Sequence, residues 1–271
     1  MIVLPWLFGY LALGTFAGFL AGMLGIGGGL VLVPTLAMMF SAQGLLPASD
    51  VLHMALGTSM ASIIFTALAS LRAHHSHGAV LWKVVGAITP GILMGTLAGT
   101  LLASRVPSRP LAVFFTAFVC FVALQMATNL KPKPARQLPG PWGVGGVGVG
   151  IGALSSLVAI GGGALTVPFL TWCNVRVQQA IGTSAAVGLP IAIGGTAGYI
   201  FNGWAADGLP PGSLGYVYVP ALAALVIGSM ATAPYGARLA HRLPVATLKR
   251  IFAGLLVILA GKMLWNLFSA P

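Results

Sequence analysis

Two runs of three consecutive glycines stand inside strongly apolar stretches of the sequence. The first break, Gly27–Gly29, lies within Gly25–Pro34, and the second break, Gly161–Gly163, lies within the matching stretch Ala159–Pro168. Three adjacent glycines do not continue a helix at reasonable cost, because each gives up about 1 kcal/mol relative to alanine. A helix that begins after such a break exposes unpaired N–H groups and the positive end of its dipole, and glycine lets an oxyanion approach closely. The two breaks therefore predict an anion-binding site.

Two threonine–serine pairs are the second group of candidate binding residues. Thr58 and Ser59 end the block Ala55–Ser59, which recurs as Ala180–Ser184. Each pair lies about eight residues into an apolar helix, or about 12 Å along its axis, near the middle of a membrane. The predicted substrate-binding residues are Gly27, Gly28, Gly29, Thr58, Ser59, Gly161, Gly162, Gly163, Thr183 and Ser184.

Both groups also have a purely structural interpretation. Glycines let two membrane helices pack closely, and a serine or threonine hydroxyl can bond to the helix carbonyl four residues earlier. No basic side chain lies deep in an apolar run, since Lys83 and Lys262 are near enough to the ends to reach the interface. An anion would therefore be held by dipoles and hydroxyls, which suits a substrate that has to be released.

Metal binding and enzyme catalysis are the two rival kinds of chemistry. Three histidines, His74, His75 and His77, fall in a predicted polar loop, 72–78, and would serve a permease for divalent metal cations. A cation path needs carboxylates in its membrane segments, whereas Asp50 and Asp207, the only acids, fall in predicted loops. The sequence also has no HExxH or GxSxG motif and no paired carboxylates, so we expect neither an enzyme nor a bound cofactor or metal. His53, at a helix end, is predicted to be structural.

Composition places the chain in a membrane. Of its 271 residues 58% are hydrophobic and 6% are charged, and several apolar runs approach the roughly 20 residues that span a bilayer. Thirteen lysines and arginines against two acids give a net charge of +11. Because the basic residues lie between apolar runs, they predict loops facing anionic lipid and not a nucleic-acid partner. The segment Met1–Leu24 is predicted to be a retained helix and not a signal peptide.

The elements that carry these residues occur twice. The first half has predicted helices at 6–24, 30–40, 51–71, 79–103 and 111–130, and the second half at 142–160, 164–173, 175–202, 216–237 and 245–268. A third matching block, Gly95 with two following arginines, recurs at Gly228. The three blocks predict an internal duplication. We divide the chain into a first membrane repeat, 1–130, a basic Pro-rich cytoplasmic linker, 131–141, and a second membrane repeat, 142–271.

Charge decides between two topologies. If each half crosses the membrane four times, the basic residues divide six against seven, which gives no orientation. If each glycine break is the tip of a hairpin, only Arg105, Arg109 and Lys262 lie on one face and ten basic residues share the other, cytoplasmic face. The second arrangement also inverts the two halves. The predicted fold is therefore an all-α polytopic membrane protein of two inverted homologous repeats, each a Gly-broken helical hairpin plus three transmembrane helices.

The two glycine blocks, each followed by Val-Pro, and the Gly-Thr-Ser blocks resemble the sulfite exporter TauE/SafE family of membrane permeases. The resemblance runs through essentially the whole chain, with one departure, Ala159 where the first half has Gly25. It implies transport of small sulfur-containing anions such as sulfite, thiosulfate or organosulfonates, in the cytoplasmic (inner) membrane of a bacterium.

Overall fold

The computed structural model describes residues 3–24, 27–44, 46–128, 136–240 and 245–269. These residues form ten helices and one short antiparallel hairpin. The helices are α1 (Val3–Leu24), α2 (Gly29–Gln43), α3 (Val51–Ser76), α4 (Trp82–Arg105), α5 (Ser108–Ala127), α6 (Pro141–Val158), α7 (Gly163–Trp172), α8 (Val177–Gly203), α9 (Val219–Ala240) and α10 (Val245–Ser269). The hairpin pairs β1 (Ser213–Leu214) with β2 (Val217–Tyr218).

Seven of the described helices are long and apolar enough to cross a membrane, which confirms a polytopic membrane protein. They are α1, α3, α4, α5, α6, α8 and α9. The apolar helices α2 and α7 are shorter, with 15 and 10 residues. At about 1.5 Å per residue they reach roughly 22 and 15 Å, less than the thickness of a bilayer core.

Both predicted helix breaks are present. Gly28, with φ 74°, precedes α2, and Gly162, with φ 79°, precedes α7. This left-handed backbone is the one that glycine adopts without the cost of a Cβ, so the chain turns sharply where the sequence places its glycines. Ala159 takes the same kind of backbone, with φ 46°, at the end of α6. Its counterpart Gly25 lies outside the described residues.

Two pairs of helices that are far apart in the sequence pack around a central pair. α1 packs along α9, α4 packs along α6, and α3 and α8 contact each other. Among the candidate spans α3 and α8 are the most buried. The outer pairs approach backbone to backbone, because a Cβ on Gly18 would overlap Ser229 and a Cβ on Gly95 would overlap Val149. α5 packs against α10.

Three local expectations need correction. Segment 72–78 is not a loop, because α3 continues to Ser76. Polar side chains alone do not stop a helix, and the segment has no helix breaker before Gly78. Predicted helix 216–237 begins later, because β2 of the short hairpin takes up Val217–Tyr218 and α9 starts at Val219. Predicted helix 142–160 begins one residue earlier, because Pro141 begins α6, where a proline suits the first helical position. Linker residues 131–135 lie outside the described residues.

Candidate functional site

The structure brings the two glycine breaks into contact. A Cβ on Gly27 would lie 3.3 Å from Gly161 Cα, and a Cβ on Gly29 would overlap the carbonyl oxygen of Ala159. Gly161 also packs on α8, since a Cβ on Gly188 would lie 2.5 Å from the Gly161 carbonyl oxygen. The two glycine breaks therefore form one junction, and glycine is needed there for packing as well as for the turn.

Each break is followed by a helix whose first amides are not used inside that helix. The amides of Val31 and Leu32 donate to Gly28 O, each at 3.0 Å, so the earlier amides of Gly29 and Leu30 have no carbonyl one turn before them in α2. α7 repeats the arrangement, with Thr166 N donating to Gly162 O at 2.8 Å. The junction thus brings together two helix N-termini, each carrying roughly half a positive charge.

Several buried hydroxyls lack a hydrogen-bond partner among the described residues, and we call them the open hydroxyls. They are Ser59, Ser62, Ser155, Thr166, Ser184 and Ser213. Two of them, Ser59 and Ser184, are predicted site residues and are at most 1% exposed. A buried hydroxyl left without a partner costs about 1–3 kcal/mol. A ligand that accepts their hydrogen bonds would remove this cost.

Ser59 and Ser184 lie on the helix faces that pack against the junction. Ser59 is one turn before Ile63, whose Cδ1 lies 3.1 Å from the position of a Cβ on Gly29. Ser184 is one turn before Gly188, which packs on Gly161. Side chains four residues apart share a helix face, so each serine lies one helical turn from a residue that contacts the junction.

Thr58 and Thr183 have a different role. The hydroxyl oxygen of Thr58 accepts a hydrogen bond from Tyr218 N, and that of Thr183 accepts one from Leu81 N, each at 3.0 Å. Both threonines are fully buried. These bonds fasten the chain directly before α9 and α4, so the two hydroxyls stabilise helix starts and position the serines that follow them.

The glycine before each of these threonines also packs against the segment that the threonine holds, a contact that sequence reasoning missed. A Cβ on Gly57 would overlap the carbonyl oxygen of Tyr216, and one on Gly182 would lie 2.5 Å from that of Ala79. The sequence signal for this contact is that the whole Gly-Thr-Ser block, and not the threonine alone, occurs twice. Sequence reasoning also missed Ser62 and Ser155, which carry open hydroxyls.

The histidines do not form a metal site in the described part of the chain. No group of three or more His, Cys, Asp or Glu residues there is placed to hold a metal ion. The Trp82 indole N–H donates to His75 Nδ1 at 3.4 Å, and His77 Nδ1 lies 2.7 Å from Ala73 O. These contacts belong to the end of α3.

His53 joins α3 to the end of α4. Its Nδ1 lies 3.1 Å from Ser49 O and its Nε2 lies 2.9 Å from Ala103 O, and the side chain is buried. Its ring lies against Tyr216, whose hydroxyl donates to Asp50 at 3.1 Å. Burial, assisted by the charge and hydrogen bond of Asp50, raises the pKa of Tyr216 to about 12. The structural role expected for His53 agrees with these contacts.

The described residues contain seven apolar spans and two short helices that follow glycine breaks. The two breaks meet inside the protein. Together these features define a polytopic transporter built on broken helices. The chain matches the family model described as "Sulfite exporter TauE/SafE" over residues 10–263. It therefore belongs to the TauE/SafE sulfite exporter family, as the glycine and Gly-Thr-Ser blocks had indicated, and it is a membrane transporter and not an enzyme.

Known relatives agree with this assignment. The chain is 38% identical to a "Probable membrane transporter protein" of Haemophilus influenzae over 255 residues, which are 93% of this chain and 96% of the relative. It is 27% identical to a Bacillus subtilis protein with the same description, over 86% of this chain and 89% of the relative. A protein of Methanocaldococcus jannaschii, also described so, is 26% identical over 97% and 96%. No solved structure matches the chain.

Proposed function

We propose that the protein carries small sulfur-containing anions, such as sulfite, thiosulfate or organosulfonates, across the cytoplasmic membrane of a bacterium. The anion binds at the junction of the two glycine breaks, where the first amides of α2 and α7 and the hydroxyls of Ser59 and Ser184 donate to its oxygens. The observation that carries the proposal is the contact between the two breaks, which brings two helix N-termini together. The family description supplies the sulfur chemistry.

Inverted repeats are part of the same proposal, because they would present one central site to both sides of the membrane in turn. Equivalent positions in the two Gly-broken hairpins recur at one spacing. Gly27 of the first break and Gly161 of the second differ by 134 positions (161 − 27). A Cβ on Gly228 would lie 2.6 Å from Leu11 O and one on Gly91 would overlap Gly145 O, and positions 11 and 145 also differ by 134 (145 − 11).

These contacts change one detail of the duplication. The sequence blocks relate Gly95 to Gly228, whereas the packing relates Gly91 to Gly228, one helical turn earlier. The two registers place glycines on the same helix face, so the sequence pattern did not separate them. The paired bonds Thr58–Tyr218 and Thr183–Leu81 support the repeat independently.

Transport in proteoliposomes tests the function. The purified full-length protein should take up sulfite or thiosulfate and gain thermal stability from them, and divalent cations should do neither. Ser59→Ala and Ser184→Ala should each weaken the affinity for the transported anion about tenfold, if each hydrogen bond contributes about 1–1.5 kcal/mol.

The serine variants separate binding from folding. Because Ser59 and Ser184 are open hydroxyls, their removal should leave the melting temperature unchanged or slightly higher. A matched control is Ser104→Ala, which removes an exposed hydroxyl that bonds to Leu101 O and should change neither property. Wild-type affinity in both Ser59→Ala and Ser184→Ala would contradict binding at the junction.

A further inference from the structure

A narrow cavity beside the first break shares Gly27 and Gly28 with the junction. Small residues of α1 also line it, and Ser62, Thr66 and Ser229 contribute the polar lining. In this conformation the cavity is too narrow to hold a water molecule. The described lining residues carry no charged side chain.

The three hydroxyls in this cavity are not equivalent. Thr66 donates to Ile63 O and Ser229 donates to Val226 O, each at 3.2 Å, so both protons have an acceptor on their own helix. Ser62, in contrast, is an open hydroxyl and is 1% exposed. A hydroxyl donor without an acceptor, facing a cavity at a helix N-terminus, is chemically complementary to an oxyanion.

We propose that this cavity is a side pocket for one oxygen of the transported oxyanion, with Ser62 as its donor opposite the first amides of α2. The proposal rests on the proposed function and adds Ser62, with Thr66 and Ser229 as further polar contacts, to the anion site. A small anion with several acceptor oxygens, such as sulfite or a sulfonate group, can bond to Ser62 and to the α2 amides at once.

The second break has different surroundings. The block spacing of 125 positions (183 − 58) relates Ser62 to Val187 and Thr66 to Ile191. Ile191 Cδ1 lies 3.0 Å from the position of a Cβ on Gly162, so an apolar side chain stands where the first break has Thr66. The open hydroxyls in the corresponding part of the second half, Ser155 and Thr166, belong to α6 and α7. The side pocket is thus a property of the first break.

Entry into the pocket requires its walls to separate. α1 and α9 are joined along glycine contacts, which favours their moving together, and Ser62 lies opposite them on α3. Because the cavity does not admit water in this conformation, an anion can occupy it only after the α1–α9 pair moves away from α3. Binding in the pocket would therefore accompany a conformational step of transport.

Sulfite binding to the full-length protein in lipid nanodiscs tests the pocket. Ser62→Ala should weaken the affinity for sulfite about tenfold and leave the melting temperature unchanged or slightly higher. Ser62→Val, which fills the cavity, should weaken it further. Thr66→Val and Ser229→Ala should weaken it about threefold or less, because their protons already bond to helix carbonyls. Ser104→Ala, which removes an exposed hydroxyl outside the pocket, should bind sulfite as the wild type does.

Each remaining outcome has a defined meaning. Wild-type affinity in Ser62→Ala, together with weaker binding in Ser59→Ala, would overturn the pocket and leave the proposed function standing. Equal losses in Ser104→Ala and Ser62→Ala would show that the loss does not arise in the cavity and would also overturn the pocket. If the wild-type protein binds none of sulfite, thiosulfate and methanesulfonate, the proposed function and the pocket both fail.

Discussion

At the scale of single residues, the adjacent threonine and serine hydroxyls of each Gly-Thr-Ser block differ in their hydrogen bonding. The threonine oxygen accepts a backbone N–H, and the serine carries an open hydroxyl. A hydrogen bond inside the fold adds stability, whereas a buried hydroxyl without a partner costs it. We infer that the threonines are present for folding and the serines for the substrate.

The threonines should therefore respond in stability and not mainly in affinity. Thr58→Val leaves the buried amide of Tyr218, and Thr183→Val the half-buried amide of Leu81, without its acceptor, and each should lower the free energy of unfolding by about 1–3 kcal/mol. Thermal unfolding in detergent measures this loss. Thr58→Ser, which keeps the oxygen, should retain most of the stability. If the threonine hydroxyls instead bind the anion, both valine variants should lose affinity about tenfold; that result with unchanged stability would contradict the assignment made from the structure.

The glycines illustrate what the sequence could and could not predict at this scale. It predicted the breaks, because three glycines inside an apolar run are a local signal. It did not predict that a Cβ on Gly29 would overlap Ala159, since the two residues are distant in the chain. Gly28→Val would also strain the backbone, because φ at this position is 74°, a value that residues with a Cβ rarely adopt. Valine at the breaks therefore tests folding, and the serine variants are the better test of binding.

At the scale of helices, the two N-termini at the junction set the charge that the site can balance. Each supplies roughly half an elementary charge, and together they match one negative charge. We expect the site to bind monoanions, namely hydrogen sulfite and sulfonates, more tightly than dianions, which include thiosulfate.

The pH dependence of binding checks this preference. The second ionisation of sulfurous acid lies near neutrality, so the apparent affinity for total sulfite should fall as the pH rises through neutrality and converts the monoanion to the dianion. Methanesulfonate stays a monoanion over this range, and its affinity should stay constant. Tighter sulfite binding at alkaline pH would show that the site balances more than one charge.

Helix α4 carries glycines of two kinds, which gives a matched test of packing. A Cβ on Gly95 would overlap Val149 of α6, whereas nothing lies within 4 Å of a Cβ on Gly86. Gly95→Ala should destabilise the protein by separating α4 from α6. Gly86→Ala should stabilise it by up to about 1 kcal/mol through helix propensity. The melting temperatures of the two variants decide the question, and equal values would contradict the close approach of α4 and α6.

Helix order and type were predictable because each apolar run is long and each break is local. Three features were not, since they depend on distant partners or on positions beyond the membrane. Thr58 and Tyr218 are far apart in sequence, so no local pattern revealed their bond. The extension of α3 past Arg72 and the β1–β2 hairpin lie outside the longest apolar runs, where hydropathy gives little guidance.

At the scale of the whole molecule, we predict the topology from the ten basic residues that the proposed arrangement places on one face. In a protein with Cys120 and Cys173 replaced, we expect Ala205→Cys to react with a membrane-impermeant maleimide in intact cells. Ser76→Cys should react only after permeabilisation. Both positions are exposed. Labelling of both from one side would contradict the inverted arrangement.

The packing of α1 against α9 also has a consequence for biosynthesis. Gly18 meets Ser229, 211 positions later in the chain (229 − 18). At about 5–20 residues per second, synthesis leaves α1 waiting roughly 10–40 s in the membrane before its partner emerges. During that time its glycine face is open to lipid or to a membrane chaperone. The first half of the chain is therefore not a unit that can finish folding by itself, and a chain that stops before α9 would expose the surface by which quality control recognises an incomplete protein.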